Sequence, residues 1–340
     1  MSTATTGATG TVGTVGTAEL TMGAAINLAL DEALAADPSV FLLGEDIMDP
    51  AGGVMQVTKG LSTKHGRDRV RETPISEQAI IGAAIGAAMA GLRPVPEIMI
   101  MDFLAVCADQ LVNHAAKLRF MSGGRTNVPM TIRCLHTGGF QMGAQHSQTL
   151  EAWLCHVPGI NVVFPSTPAD AKGLLTACIR NDDPCVFVEP AALYGATGPV
   201  PVGEYVVPLG QADVKRTGSD VTLVTYGRQV HDCLGAAAAL EGEIDVEVLD
   251  LRSLVPWDAE AMIASVSKTR RAVVVHQAVR RCGVGAEIAA FLSEELWGTL
   301  LSPVLRVAGK DTPVPYAKEL EDFHLPSAAD IIEAVRAAAK

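Results

Sequence analysis

Thr73-Pro74-Ile75-Ser76-Glu77 leads into Ala79 to Leu92, a run without a charged side chain, so a lone carboxylate heads one of the least polar stretches of the chain. Pro74 and Ser76 punctuate a helix start, and an acid in the first turn complements the helix dipole. On that reading Glu77 is a helix-end fixture. On the other it is a proton handler, because burial against Ala, Ile and Gly disfavours ionisation and lets an acid hold a proton near neutral pH. The run is too short to span a bilayer and stops at Arg93-Pro94, so a buried helix is expected.

Working outward, Glu19 to Asp37 places Leu20, Ile26, Leu28, Leu30 and Leu34 at helical spacing, and Pro38 closes that helix. Val40 to Leu43 follows as a strand that runs into Gly44-Glu45-Asp46 and a glycine-rich loop at Gly52-Gly53, a strand end of the kind where α/β sheets place function. Val95 to Ile100 predicts another strand and Asp102 to Arg119 a long helix. Further apolar strands at 130–132, 162–164 and 186–188 are separated by loops or helical stretches. This is the alternation of a parallel sheet covered by helices, hence an α/β fold. After a disordered tail over 1–18, the first domain covers 19–200 and a Gly/Pro/Val segment at 198–203 ends it. The alternation restarts in a smaller α/β domain over 201–340, with strands at 221–224, 246–249 and 272–275 and a closing helix at 328–339.

A chain of 340 residues exceeds what one hydrophobic core usually serves, in keeping with two domains. With 49% hydrophobic but only 4% aromatic residues, the interior is filled by Ala, Val, Ile and Leu. The net charge of −12 and the lack of a Lys/Arg run argue against a nucleic-acid partner. Seven cysteines form no C-x-x-C pair and lie mostly in apolar surroundings, as small core residues of a reducing compartment. With neither export nor transit signal recognisable, a cytoplasmic protein with no membrane span is expected.

Common hydrolase, kinase and zincin signatures are missing. Gly283-Val284-Gly285 follows a strand but lacks the third glycine of a dinucleotide fingerprint, which leaves a nicotinamide-dependent dehydrogenase poorly supported. His146, in Gly143-Ala144-Gln145-His146-Ser147-Gln148, sits in a polar cluster that fits either a site or an exposed loop; His136 belongs to the same class. Cys155-His156 fits the core. Glu45-Asp46 fits paired site acids or a turn cap, and Phe103 and Trp153 fit ring stacking or ordinary packing.

Together these stretches resemble the beta subunit of the thiamine diphosphate-dependent decarboxylating component of 2-oxo acid dehydrogenase complexes, whose members include pyruvate, branched-chain and acetoin types. The resemblance runs from about residue 19 to the C-terminus. It rests on the order and spacing of Gly44-Glu45-Asp46, Gly52-Gly53-Val54, Thr73-Pro74-Ile75-Ser76-Glu77, Gln145-His146-Ser147-Gln148, Pro165-Ser166-Thr167-Pro168 with Ala171-Lys172-Gly173, and Asp311-Thr312-Pro313-Val314-Pro315.

The resemblance implies a transketolase-like pyrimidine-binding domain followed by a transketolase C-terminal domain, with the cofactor between this chain and an alpha subunit in an alpha2-beta2 heterotetramer. Gly82-x-x-x-Gly86 would then serve contact with a second beta subunit. Magnesium and the diphosphate fall to the alpha subunit, since this chain has no Gly-Asp-Gly. Glu77 matches the acid that bonds a pyrimidine nitrogen, Phe103 the aromatic packed on the ring, Ile75 an apolar contact, and His146 the histidine facing substrate during transfer to the lipoyl group of a transacylase. Met99 stands where many relatives carry Gln, and Gln277 where Glu or Asp is common. Cys178, Ile179, Asn181 and Asp183 match a loop whose oxygens hold potassium in some relatives. A noncatalytic assembly subunit is the alternative of a different class.

Overall fold

The computed structural model describes residues 16–340. The expected tail lies outside the described residues as far as 15, and its last residues, Thr17 and Ala18, already belong to a strand. Along the chain the first half runs β1 (Thr17–Thr21), α1 (Met22–Ala36), β2 (Val40–Gly44), α2 (Leu61–His65), β3 (Val70–Glu72), α3 (Glu77–Met89), β4 (Arg93–Ile100), α4 (Ala116–Met121), β5 (Thr131–His136), α5 (Glu151–Cys155), β6 (Asn161–Val163), α6 (Pro168–Arg180), β7 (Cys185–Pro190) and β8 (Thr197–Pro201). The second half adds β9 (Asp213–Arg216), β10 (Val221–Thr225), α7 (Gln229–Ala239), β11 (Val246–Asp250), β12 (Ser253–Val255), α8 (Ala259–Thr269), β13 (Ala272–Val279), α9 (Val284–Glu295), β14 (Leu305–Gly309), α10 (Lys318–His324) and α11 (Ala328–Ala339).

Two local readings need correction. The first helix starts at Met22, not Glu19, because the Thr21 hydroxyl accepts the Ala24 N–H at 3.2 Å as an N-cap and fixes the preceding residues as a strand. The stretch expected as one helix over 102–119 changes winding. It opens as a 3-10 turn at Met101–Ala105, passes through a π segment at Gln110–Ala115 and continues as an α-helix from Ala116. Apolar spacing near 3.6 does not separate these windings.

A seven-stranded sheet has the order β12-β6-β7-β5-β4-β2-β3, parallel except for β12 at its edge. One face is covered by α1 and α6 through Ile26, Leu30, Leu34, Leu174 and Leu175. The other is covered by α3 and the 101–121 stretch through Ile80, Ile81, Ala84, Leu104, Cys107 and Leu111. A second sheet, β14-β13-β10-β11-β9, is parallel but for β9. The segment expected to separate the domains largely forms β8, paired antiparallel with β1.

The two sheets share one apolar core, in which Val162 and Phe164 belong to the same cluster as Val224, Leu249 and Val274. A buried ionic network joins them as well. Arg252 reaches Asp170 at 2.9 Å, and Lys215 reaches Asp170 at 2.7 Å and Asp250 at 3.7 Å. Burial pushes the Asp250 carboxyl up to about 7 against the pull of Lys215. Burial also opposes ionisation of Asp170, but Lys215 and Arg252 outweigh it and hold that carboxyl below its usual range. The network thereby links the first turn of α6 to β9 and to the end of β11.

Candidate functional site

Four parallel strands lie side by side in the order β5-β4-β2-β3, so their carboxyl ends open on one edge. That edge is where an open α/β sheet binds ligands. Glu45 follows β2, Ile75 and Glu77 follow β3, Phe103 follows β4, and His146 lies in the loop after β5. The structure therefore brings the sequence candidates Glu77, Phe103 and His146 to a common edge.

Glu77 is the first residue of α3 and is half-buried, and the nearby Ile75 is 82% exposed. The burial expected for Glu77 is not supplied by this chain. One side of α3 packs Ile80, Ile81, Ala84, Ile85 and Ala88 inward, whereas Gln78, Ala79, Gly82, Ala83 and Gly86 are open. Ser76 sits at the N-cap position without a side-chain capping bond. The acid that is buried is Glu45. Desolvation raises its pKa, the neighbouring charges of Glu77, Asp46 and Glu97 raise it further, and the Ser76 N–H works against them. Glu45, open to reading as a site acid or a turn cap, thus lies buried at this edge and accepts the Ser76 N–H.

On the other side of the edge, Met99 is half-buried at a register shift between β4 and β5, after which the chain turns into the 3-10 segment. Phe103, on that turn, meets the His146 ring edge-on at a centroid distance of 5.4 Å. Asp102 ties the two loops together, because its Oδ1 accepts from the Gln148 backbone N–H at 3.2 Å and from its side-chain amide at 2.9 Å. Asp102 Oδ2, Ser147 Oγ and Thr73 Oγ1 are buried with no hydrogen-bond partner among the described residues. A half-exposed acid, an aromatic wall and a histidine, with polar atoms left free around them, suit a flat, nitrogen-containing ring.

Beneath the edge, Arg133 on β5 is buried between Glu97 on β4 and Glu189 on β7, at 2.7 and 2.6 Å. Tyr194 donates its hydroxyl to Glu189. Burial raises the Glu97 pKa, and Glu189 adds to the shift while Arg133 opposes it. The sequence reading passed over this triad. Its signal is a charged residue inside each of three apolar strands, Pro96-Glu97-Ile98, Ile132-Arg133-Cys134 and Val188-Glu189-Pro190.

Residues 18–197 match the family model for the transketolase pyrimidine binding domain, and residues 210–331 match that for the transketolase C-terminal domain. The chain is 47% identical over 328 residues to the acetoin:2,6-dichlorophenolindophenol oxidoreductase subunit beta of Cupriavidus necator, covering 94% of this chain and 97% of that one. It is 42% identical over 322 residues to the pyruvate dehydrogenase E1 component subunit beta of Rhizobium meliloti, covering 94% and 70%. The chain belongs to the beta-subunit family of acetoin and 2-oxo acid dehydrogenases. A solved split-gene transketolase, an inactive beta4 tetramer, shares the fold at a TM-score of 0.75 and 24% identity, covering 94% of this chain and 98% of that one.

Other candidates take different places in this family member. His136 is buried, with Nε2 2.8 Å from the Thr149 hydroxyl, and burial followed by the charge of Arg228 lowers its pKa to about 4. Trp153 is exposed, and so is His156, which corrects the core reading of Cys155-His156; Cys155 itself is half-buried. Trp153 lines a cleft between α5 and the start of α9, together with Cys282 and Glu287. Gln277 is buried against Gly138 with its amide nitrogen unpartnered among the described residues. Gly283 and Gly285 open α9, where the His276 ring fills the space their missing side chains leave, so no phosphate cradle remains there.

In the potassium-like loop, the Ile179 and Asn181 carbonyls accept from Arg93 Nη1 at 3.2 and 3.0 Å. The Cys178 carbonyl accepts the Asn181 N–H at 3.1 Å, and Asp183 pairs with Arg119 at 2.6 Å. A potassium ion there would share its oxygens with guanidinium groups, which like-charge repulsion opposes. No helix among the described residues is long and apolar enough to cross a membrane.

Proposed function

We propose that this beta subunit supplies the pyrimidine side of a thiamine diphosphate site completed by an alpha subunit, in a complex that cleaves acetoin or decarboxylates a 2-oxo acid and passes the acyl unit to lipoamide. The observation that carries the reading is the placement of Glu77, Glu45, Phe103 and His146 after four adjacent parallel strands, with Glu77 and Ile75 left open to a partner. Acetoin is the first substrate to assay, because the acetoin-type relative matches at 47% over 328 residues and 97% of its own length, against 47% over 310 residues and 65% for a 2-oxoisovalerate type and 42% for the pyruvate type.

The residues present fit the aminopyrimidine half of the cofactor, whose thiazolium half would supply an acidic ring carbon able to stabilise charge next to a carbonyl. Glu77 would hold or accept a proton at a pyrimidine nitrogen, and its negative charge, after burial, helps to raise the pKa of Glu45 nearby. Phe103 offers a face to the ring and excludes water. His146, held against Phe103, presents its imidazole toward the substrate as a donor to developing charge. Magnesium and the diphosphate are assigned to the alpha subunit, and two copies of each chain to the assembly. The apolar, half-open α3 with Gly82 and Gly86 supports contact with a second beta subunit. Seven free thiols support a cytoplasmic setting.

The test is co-expression with an alpha subunit and assay of acetoin, pyruvate and branched-chain 2-oxo acids with thiamine diphosphate, magnesium and a lipoyl-bearing transacylase. Glu77→Ala should abolish turnover while the subunits still co-purify. Turnover retained in that variant would point instead to a noncatalytic assembly subunit.

A further inference from the structure

The loop between β5 and α5 has to place His146, yet its own backbone is poorly suited to holding one shape. Gly139, Gln141 and Gly143 all have positive φ, 97°, 57° and 77°, and Gln141 is not a glycine, so it takes the left-handed region against steric cost. What holds the loop comes from the other end of the chain. Glu321, on α10 of the second domain and 1% exposed, accepts the Gly139 N–H on Oε1 and the Gln141 N–H on Oε2, each at 2.9 Å. Arg228 and Tyr316, also of the second domain, close on the glycines. A Cβ at Gly139 would come within 2.5 Å of the Arg228 guanidinium, and one at Gly143 within 3.2 Å of the Tyr316 ring.

A buried carboxylate that receives two adjacent backbone donors makes strong, direction-specific bonds. The inner end of the loop is fixed separately, by the Thr137 hydroxyl donating to the His146 carbonyl and by Asp102 accepting from Gln148. Glu321 holds the outer end, and His146 is tied to that end as well, because its N–H donates to the Gly143 carbonyl at 3.2 Å.

We propose that Glu321 is a positioning residue for catalysis: it clamps the loop from the second domain and so sets where the His146 imidazole stands, without touching substrate or cofactor. The inference rests on His146 acting on the substrate. A displacement of about 1 Å in a reacting group commonly lowers turnover about 100-fold.

The test is a double-mutant cycle in the assembled alpha-beta complex with thiamine diphosphate and magnesium. Glu321→Gln keeps the side-chain length but turns one acceptor into a donor that faces an N–H. It should lower kcat by about 10- to 100-fold, with thiamine diphosphate affinity within about twofold of wild type. In a His146→Ala background the same change should cost nothing more, because its effect passes through His146. An equal fold-loss in both backgrounds, or a kcat within twofold of wild type for Glu321→Gln alone, overturns the proposal and leaves the site reading standing. Wild-type turnover in His146→Ala removes that reading, and the proposal with it. If Glu321→Gln does not assemble, Glu321→Asp, which keeps the charge and both acceptor oxygens on a shorter arm, enters the same cycle with the same criteria.

Discussion

The Phe103 ring stands edge-on to the His146 imidazole, with centroids 5.4 Å apart and planes at 82°. An edge-to-face pair of this kind contributes about 0.5–1.5 kcal/mol beyond the area it buries. Phe103→Ala removes the wall on which His146 rests and the face offered to the pyrimidine. A fall in kcat of at least about tenfold is expected, with weaker cofactor binding and a stability loss of about 1–2 kcal/mol. Phe103→Leu, which keeps volume but no ring, should recover stability before turnover. Steady-state kinetics and urea melts of both variants check this.

Among the described residues Arg133 is the one cation paired with both Glu97 and Glu189, and all three are buried. Removing it leaves two carboxylates facing each other in a dry interior, and breaking a buried pair costs about 3–5 kcal/mol. Arg133→Met should therefore fold poorly at neutral pH. Lower pH should restore part of the loss, because protonating Glu97 removes the repulsion. Adding Glu97→Gln should do so at constant pH. Denaturant midpoints for the single and double variants read this out; equal midpoints for wild type and Arg133→Met would remove the triad from the account of stability.

Much of this architecture was legible in the sequence because it rests on local pattern. The run from Ile80 to Ala88 is helical, the strands near 40, 95, 131, 162, 186, 221, 246 and 272 are where their apolar residues place them, and the closing helix spans 328–339 as read. The short strands β3, β9 and β12 were not legible. Val70–Glu72 has only three residues and a single buried side chain, and Ser253–Val255 is a strand only because β6 lies beside it. At the site, Glu77, Phe103 and His146 stood out through motif and resemblance, but the burial of Glu45, and the influence of Glu77's charge on it, had no sequence signal. Glu321 had no sequence signal, since its partners Gly139 and Gln141 are backbone groups in the other domain.

Two buried histidines set a direction for the pH dependence of stability. His136 and His276 both have pKa values lowered to about 4, chiefly by burial, with Arg228 and Arg306 adding to it. Below about pH 6.5 the unfolded chain takes up protons that the folded chain refuses until about pH 4. Their stabilisation is thus full above the unfolded value and is lost as pH falls through that window, by at most about 3 kcal/mol for each. His276→Gln should flatten the slope of unfolding free energy against pH between 4 and 6.5 by up to one proton. Denaturant titrations at a series of pH values measure that slope, and an unchanged slope would show that His276 does not titrate on unfolding.

Gly285 bears on both packing and function. Both ring nitrogens of His276 are buried without hydrogen-bond partners among the described residues, and the ring stacks parallel to Tyr226 at 6.4 Å. A Cβ on Gly285 would run into its Cδ2–Nε2 edge, and one on Gly283 would lie 2.7 Å from its Cε1. Since Tyr226 blocks retreat on one side, Gly285→Ala should cost about 1–3 kcal/mol by overpacking. His276→Ala should relieve most of that cost, giving a coupling of about 1 kcal/mol or more in a double-mutant cycle. A dinucleotide loop would behave differently, because its glycines serve close approach of a pyrophosphate, so Gly285→Ala would abolish NADH binding and leave stability nearly unchanged. Titrating the isolated chain with NADH beside the melts separates the two. With the His276 ring filling that space, no NADH binding and a lowered midpoint are expected.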